Sequence, residues 1–270
     1  MLDITAYRVA PGTPAPLAGR DPRSKEGFSG GKAKGRATLP DLNDRLSRLQ
    51  ELLWAERERS VLVVLQAMDS GGKDGTIRHV FGGVNPQGVK VWSFGIPSSL
   101  ELAHDYLWRI HNRVPARGTI GIFDRSHYED VLVVRVRNLV PEEVWSKRYG
   151  HIRHFERLLT DEGTVVVKLF LHVSKEEQRD RLQTRLDQPG KTWKFNKADL
   201  ADRELWDDFQ EAYQVAIGET STDYAPWYVV PADRKWYRNL VVSSILVDTL
   251  ERMGPRLPDP EPDLDGIVVT

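Results

Sequence analysis

The sequence predicts an α/β protein built on a parallel sheet of about five strands flanked by helices. First, residues 61–65 form a continuous apolar run, which suits a strand buried on both faces. Second, four further strand-like runs follow, and helical segments separate them. Third, a glycine-rich loop comes directly after the first run. Strands that alternate with helices form parallel sheets with right-handed crossovers, and ligands bind at their carboxyl ends.

The strands after the first are predicted from short apolar runs with polar residues at their ends. They cover residues 89–94, 119–123, 164–173 and 227–230. The run at 131–136 is ambiguous, because its β-branched residues favour a strand but a buried helix fits equally well. Both alternatives stay open for this segment.

The helices are predicted from periodicity and from their capping residues. Leucines at steps of three and four between residues 39 and 53 put one apolar stripe on a helix face. Ser98 with Glu101, and Ser174 with Glu177, are capping-box pairs that mark helix starts. The predicted helices cover residues 39–53, 72–81, 99–113, 175–189, 200–217 and 236–253. A further long helix is predicted to begin with Pro141 at its first position.

Composition excludes several classes of protein. The 270 residues are 40% hydrophobic and 29% charged, so wholesale disorder is excluded. The formal net charge of −1 argues against a globally basic nucleic-acid binder. The chain has no cysteine, which excludes disulfides, thiolate catalysis and cysteine-ligated metals. Since we find neither a membrane-length apolar run nor a signal peptide, we expect a cytoplasmic protein.

The two ends differ from the middle of the chain. Residues 1–36 are predicted to be a flexible basic arm, because residues 19–36 mix five glycines with six Lys and Arg residues. Residues 255–270 are predicted to be an acidic, proline-rich tail. Residues 37–254 then form the single domain that holds the predicted sheet.

The most specific motif is the loop AMDSGGKDGT at residues 67–76. It follows the Walker A pattern G-x-x-x-x-G-K-[ST], except that Ala67 replaces the first glycine and Asp74 replaces the Ser or Thr. Backbone N–H groups of such a loop surround an anion, and the positive end of the next helix adds to the attraction. Asp69 is the expected Mg²⁺ ligand in place of the missing hydroxyl. The predicted phosphate-binding residues are Ser70, Gly71, Gly72, Lys73, Asp74, Gly75 and Thr76.

A second motif, FDRSHYED, ends the third predicted strand. An acidic residue after an apolar strand is typical of a Walker B element, so Asp124 is a candidate metal ligand, directly or through water. Arg125 is placed to neutralise a transferring phosphoryl group. Alternatively, Asp124 and Arg125 form a structural ion pair or a helix cap. His127 is predicted to be a packing or hydrogen-bonding residue.

A basic segment is the third candidate feature. Residues 175–197 contain seven Lys and Arg residues, and Arg181 and Arg185 share one helix face. Lys191 and Lys194 follow in a loop. A solvated charged helix is the ordinary explanation for such a segment. However, the segment follows the fourth predicted strand, and this is where nucleotide kinases carry a lid that closes over phosphates. We therefore predict a lid over about residues 175–200.

Four motifs in order resemble those of the polyphosphate kinase 2 family. They are AMDSGGKDGT, FDRSHYED, RLDQPGKTWKF and YAPWYVVPAD, and the similarity runs from about residue 46 to 250. The resemblance implies a thymidylate-kinase-like P-loop fold, Mg²⁺ dependence and reversible phosphoryl transfer between polyphosphate and nucleotides.

The resemblance also implies roles for particular residues. Asp69 and Asp124 would hold the metal, and the sequence around Tyr128 and Glu129 resembles the subgroup that phosphorylates both AMP and ADP, which makes these two the acceptor candidates. The implied catalytic residues are Asp69, Lys73, Asp124, Arg125, Arg181 and Arg185, of which Arg181 and Arg185 are the implied lid arginines. With Lys191 and Lys194 of the basic segment, these two arginines are the predicted polyphosphate-binding lid residues.

The predicted function is therefore transfer of a phosphoryl group from inorganic polyphosphate to AMP or ADP, with Mg²⁺, or alternatively Mn²⁺, as the metal. Adenine nucleotides are the expected partners, with guanine nucleotides as further candidates. We also expect a homo-oligomer, and no membrane or nucleic-acid partner. Two alternatives stay open: an ATP-dependent kinase of the same fold, and a non-catalytic nucleotide- or nucleic-acid-binding module.

Overall fold

Five parallel strands form one sheet, in the order β2-β3-β1-β4-β5. The computed structural model describes residues 2–262, 267 and 269. The strands are β1 (Ser60–Gln66), β2 (Val89–Ser93), β3 (Ile120–Asp124), β4 (Thr164–His172) and β5 (Trp227–Pro231). Every predicted strand is present and ends within one residue of its predicted limits. The α/β prediction is confirmed, since β1 lies at the centre and is buried along its whole length.

The register of the sheet brings two of the predicted motifs together. Leu65 of β1 pairs with Asp124 of β3, and Gln66 pairs with Phe170 of β4. The loop after β1 and the acidic residue at the end of β3 therefore lie side by side at the carboxyl edge of the sheet. This is the edge at which open α/β sheets bind ligands.

Two groups of helices pack around the sheet. In one group α10 contacts both α1 and α2, and in the other α5, α6 and α9 contact one another. The helices are α1 (Lys32–Glu56), α2 (Lys73–Val80), α3 (Ser99–Leu102), α4 (Trp108–His111), α5 (Val133–Val136), α6 (Glu142–Asp161), α7 (Lys175–Asp187), α8 (Ala198–Glu204), α9 (Trp206–Thr220) and α10 (Lys235–Met253). None of the helices in the described part of the chain is both long and apolar enough to cross a membrane.

The structure decides one helix assignment that was left open and differs from several helix predictions. The ambiguous segment at 131–136 contains one helical turn, so the helical alternative is correct, but the residues of that turn are only partly buried. The single helix predicted to reach Arg113 is two short helices, because the Asp105 side chain accepts a hydrogen bond from the Leu107 N–H and turns the chain between them. The helix predicted over 200–217 is likewise divided, at Leu205. Pro141 is the N-cap of α6 rather than its first helical residue.

The prediction of a flexible arm over residues 1–36 is wrong for the part of it that the structure describes. Tyr7 and Val9 are buried, and the Val9 N–H donates to the Trp227 carbonyl of the edge strand β5 at 2.9 Å. The Tyr7 hydroxyl lies 2.6 Å from that of Tyr237. The composition of this segment is dominated by glycines and cations, so its few apolar residues were not recognised as part of the core. These residues cover the edge of the sheet at β5, which would otherwise be open. Residues 32–36 are the first turn of α1.

The predicted tail at 255–270 lies partly outside the described residues. Residues 255–262 carry no helix or strand, as expected of a segment with this many prolines.

Candidate active site

The loop between β1 and α2 has the backbone that phosphate loops require. Gly72 has a φ of 106°, in the left-handed region that glycine adopts without strain. Ser70 also has a positive φ, of 61°. The chain turns twice before α2 begins at Lys73, whose buried Nζ lies 3.4 Å from the Ala67 carbonyl. The N-terminus of α2 and the lysine therefore lie at one end of the loop.

A cleft of about 890 Å³ opens over this loop. It contains ten Lys and Arg side chains but only four carboxylates, so its potential favours a polyanion. The predicted site residues that line it are Asp69, Ser70, Gly72, Lys73, Asp74, Gly75, Asp124, Arg125, Arg181, Arg185, Lys191 and Lys194. The predicted residues that do not line it are Gly71, Thr76, Tyr128 and Glu129.

Arg125 joins the two motifs. Its Nη2 donates to Asp69 Oδ1 at 2.7 Å, and its backbone N–H donates to the Leu65 carbonyl at 3.1 Å. Although burial opposes the charge, Glu129 and Asp69 hold the pKa of Arg125 above its ordinary value. Arg125 also has a φ of 59°, a strained conformation for a non-glycine residue, and such strain clusters at functional sites.

The two predicted metal ligands have different environments. Burial would raise the pKa of Asp69, but the charges of Lys73 and Arg125 outweigh it and hold this pKa below its ordinary value. Burial raises the pKa of Asp124. In the described ranges we find no group of three or more His, Cys, Asp or Glu residues that could hold a metal. Mg²⁺ commonly takes only one or two carboxylates and completes its shell with water and substrate phosphates, and this pair fits that pattern.

The acceptor role predicted for Tyr128 is wrong. Tyr128 is fully buried, and its hydroxyl donates to Glu156 at 2.8 Å and accepts from Lys168 Nζ at 3.0 Å. One turn of 3₁₀ helix over His127–Asp130 makes neighbouring side chains diverge, so Tyr128 enters the core while Glu129 turns towards Arg125. Glu129 is half-buried, and it remains the acceptor candidate.

A buried polar network holds the segment after β3. Lys168 Nζ donates to Glu156 Oε2 at 2.6 Å and to the Thr220 carbonyl at 2.7 Å. His127 Nε2 lies 3.3 Å from Glu156 Oε1, as expected of a hydrogen-bonding rather than a catalytic histidine. Tyr128 completes the network. Tyr128 and His127 belong to the same motif as Arg125, so these bonds fix the segment that directly follows Arg125.

The predicted lid contacts the phosphate loop. Lys194 Nζ lies 3.3 Å from Asp74 Oδ2, while Arg185 donates to the Lys194 carbonyl at 3.0 Å and to Asp199 at 3.1 Å. The predicted capping box of α7 is half formed: the Ser174 side chain accepts from Glu177, but the Ser174 N–H donates to another residue, Asp233.

Arg181 lies in the cleft wall, but its donors are used by the protein. Nη1 donates to the carbonyls of Ser70 and Gly71 at 3.0 and 2.9 Å, and Nη2 donates to the Ala232 carbonyl at 2.6 Å. Nε donates to Glu177 at 2.8 Å. The phosphate-binding role predicted for this residue therefore has little support in its geometry, which is that of a brace for the loop.

Several residues of the cleft were not predicted from the sequence. They come from α1, α2 and the start of α10, outside the four motifs, and are Arg36, Arg78, Lys235, Arg238 and Asn239. One signal was available, since Lys235 and Arg238 are cations at the start of an otherwise apolar helix that directly follows the fourth motif.

Three comparisons place this architecture among known proteins. The model of the polyphosphate kinase 2 family matches residues 30–258. The AMP/ADP-polyphosphate phosphotransferase of Meiothermus ruber is 61% identical over 263 residues, which are 97% of this chain and 98% of that protein. The ADP-polyphosphate phosphotransferase of Rhodopseudomonas palustris is 45% identical over 268 residues, 95% of this chain and 92% of that protein. The crystal structure of polyphosphate kinase 2 from Arthrobacter aurescens superposes with a TM-score of 0.93 at 45% identity, covering 96% of this chain and 93% of that one.

Proposed function

The chain belongs to the polyphosphate kinase 2 family, and from this premise we propose that it transfers the terminal phosphoryl group of inorganic polyphosphate reversibly to AMP and to ADP. The observation that carries the proposal is the single cleft in which a phosphate loop, Asp124 and ten cations meet. The two curated relatives are named for polyphosphate and for AMP/ADP or ADP, which favours polyphosphate over ATP as the donor.

Each group of site residues has a separate role in an in-line transfer of the phosphoryl group. Such a transfer depends mainly on positioning and on neutralising charge, and the acceptor phosphate is already anionic, so no general base is required. Lys73 and the N-terminus of α2 bind donor phosphate, and Arg125 neutralises the transferring group. Asp69 and Asp124 would hold a divalent cation, for which we propose Mg²⁺. When bound, that ion adds charge neutralisation at the donor and acceptor oxygens.

The cleft also suits a donor longer than one triphosphate. Lys191 and Lys194 lie on its lid side, while Arg36 and Lys235 come from α1 and α10. Cations spread over these three segments can follow a flexible chain that carries about one charge per phosphate.

We expect AMP and long-chain polyphosphate to yield ADP first and ATP afterwards. Glu129 supports AMP as an acceptor, because its carboxylate lies close enough to Arg125 for the two charges to interact. The measurement is a time course of AMP, ADP and ATP by chromatography, with ATP in place of polyphosphate as the control donor. An enzyme that makes ATP from ADP but leaves AMP untouched would contradict the AMP assignment, while activity with ATP alone would contradict polyphosphate as the donor.

We expect Lys191→Ala and Lys194→Ala to raise the KM for long polyphosphate several-fold and to change kcat by less than about twofold. Contacts to distant donor phosphates act equally in the ground and transition states, and they weaken as salt screens them. Steady-state kinetics with short and long donors at two salt concentrations test this. The control is Lys147→Ala, an exposed lysine of α6 outside the cleft. If the KM values of the lid variants match that of the control with every donor, the lid does not bind polyphosphate.

A further inference from the structure

Arg238, in the first turn of α10, is a buried cation that has no carboxylate partner among the residues that the structure describes. It is 2% exposed. Its Nε and Nη2 both donate to Oδ1 of the adjacent Asn239, at 3.1 and 2.8 Å. Its Nη1 donates no hydrogen bond to any residue that the structure describes. One edge of the guanidinium therefore has no protein acceptor.

This free edge lies against the phosphate loop. A Cβ built on Gly72 would fall 1.9 Å from Arg238 Nη1, and one built on Gly75 would fall 3.3 Å from Nη2. Arg181 Nη1 lies 3.5 Å from the same Gly72 position. Any side chain at position 72 would therefore displace Arg238, and two guanidinium groups converge at the turn that precedes α2.

The arrangement is unfavourable without an anion. A buried charge is costly unless it is paired, and the charge that acts on Arg238 here, that of Arg181, has the same sign. Burial and, secondly, the charge of Arg181 lower the pKa of Arg238 to about 9, which still leaves it protonated at neutral pH. Arg181 is compensated by loop carbonyls and by Glu177, whereas Arg238 has only one neutral amide oxygen.

We infer that Arg238 is the arginine that binds the phosphate group held in this loop, and that Arg181 instead braces the loop backbone. Asn239 orients the guanidinium and leaves Nη1 for a phosphate oxygen. This inference rests on the proposed function, because it assigns one more residue to the same donor site. A phosphate in the loop supplies the charge that Arg238 lacks.

The test compares wild type with Arg238→Gln, using tripolyphosphate as the probe in calorimetric titration. We expect the variant to bind about tenfold to a hundredfold more weakly, the loss typical of one charge-assisted contact. Arg252→Gln, at the exposed far end of the same helix, is the matched control and should bind like wild type. The ligand-free variant should also unfold at the same or a higher temperature than wild type, because a buried unpaired charge is gone. A merely structural arginine would instead lower the unfolding temperature.

Two results would overturn the inference: wild type that binds no tripolyphosphate, or Arg238→Gln that binds it within about twofold of wild type. If Arg238→Gln does not fold, Arg238→Lys replaces it, since it keeps the charge but loses the planar fork. Its affinity should fall by about threefold or more, and an unchanged affinity would again overturn the inference. Failure of the proposed function is recognised separately, by wild type that makes no ADP from AMP and polyphosphate.

Discussion

Asp69→Asn should lower kcat by about 100-fold to 1000-fold, the loss seen when one preorganised electrostatic contact is removed from a transition state. Asp69 is ionised, because Lys73 and Arg125 hold its pKa low. Asparagine has the same shape and can still accept the hydrogen bond from Arg125, so the loop and the fold should persist. What disappears is the negative charge that a divalent cation requires. The measurement is kcat as a function of Mg²⁺ concentration, together with circular dichroism to confirm folding.

The matched control for this prediction is Asp187→Asn, at the exposed end of α7 and outside the cleft. It should leave both kcat and the Mg²⁺ dependence unchanged. Removal of divalent cations with a chelator should abolish wild-type turnover. A near-normal kcat and an unchanged Mg²⁺ requirement in Asp69→Asn would remove Asp69 from the metal site.

Glu156→Gln should lower the free energy of unfolding by about 3–5 kcal/mol, the range for breaking a buried ion pair by removing one partner. Glu156 and Lys168 are both fully buried and lie 2.6 Å apart. The variant leaves the Lys168 ammonium in the core with only neutral partners. Urea denaturation at pH 7 measures the change.

The pH dependence of this loss has a defined sign. Burial already lowers the pKa of Lys168, and Glu156 is the group that opposes that shift. Without Glu156 the folded variant binds fewer protons at Lys168 than the unfolded chain does, so its stability rises with pH up to the unfolded lysine value of about 10.4. The deficit relative to wild type should therefore be smaller at pH 9 than at pH 7. A deficit that grows with pH would contradict a charged Lys168 as its cause.

The double variant Glu156→Gln/Lys168→Met separates the charge from the packing. It removes both ions, so it should recover part of the stability that Glu156→Gln loses, as observed when buried pairs are replaced by apolar groups. The single variant Lys168→Met completes the comparison. If the double variant loses as much free energy of unfolding as the two single variants lose together, the two side chains are not coupled.

The sheet could be predicted because its signals are local. Each strand is an apolar run of strand length, and the run at 61–65 needs no partner to be recognised. The motif at 67–76 could be recognised for the same reason, since its glycines shape the backbone and its lysine lies at the start of the next helix. Helix boundaries were less predictable, because side-chain bonds such as that from the Leu107 N–H to Asp105 interrupt a pattern that periodicity alone would continue.

The sequence by itself determined the fold class, the order of the strands along the chain, and the placement of Asp69, Lys73, Asp124 and Arg125 at the carboxyl edge of one sheet. Only the tertiary structure decided that Tyr128 is fully buried while Glu129 interacts with Arg125, that Arg181 braces the loop, and that Arg238 faces it with a free edge. The physical reason is that residue type and spacing describe what a side chain offers, whereas its partners and its burial depend on segments distant in sequence. The sequence cannot distinguish one arginine from another. Packing alone shows that Arg181 already has carbonyl partners, whereas Arg238 lacks an anion.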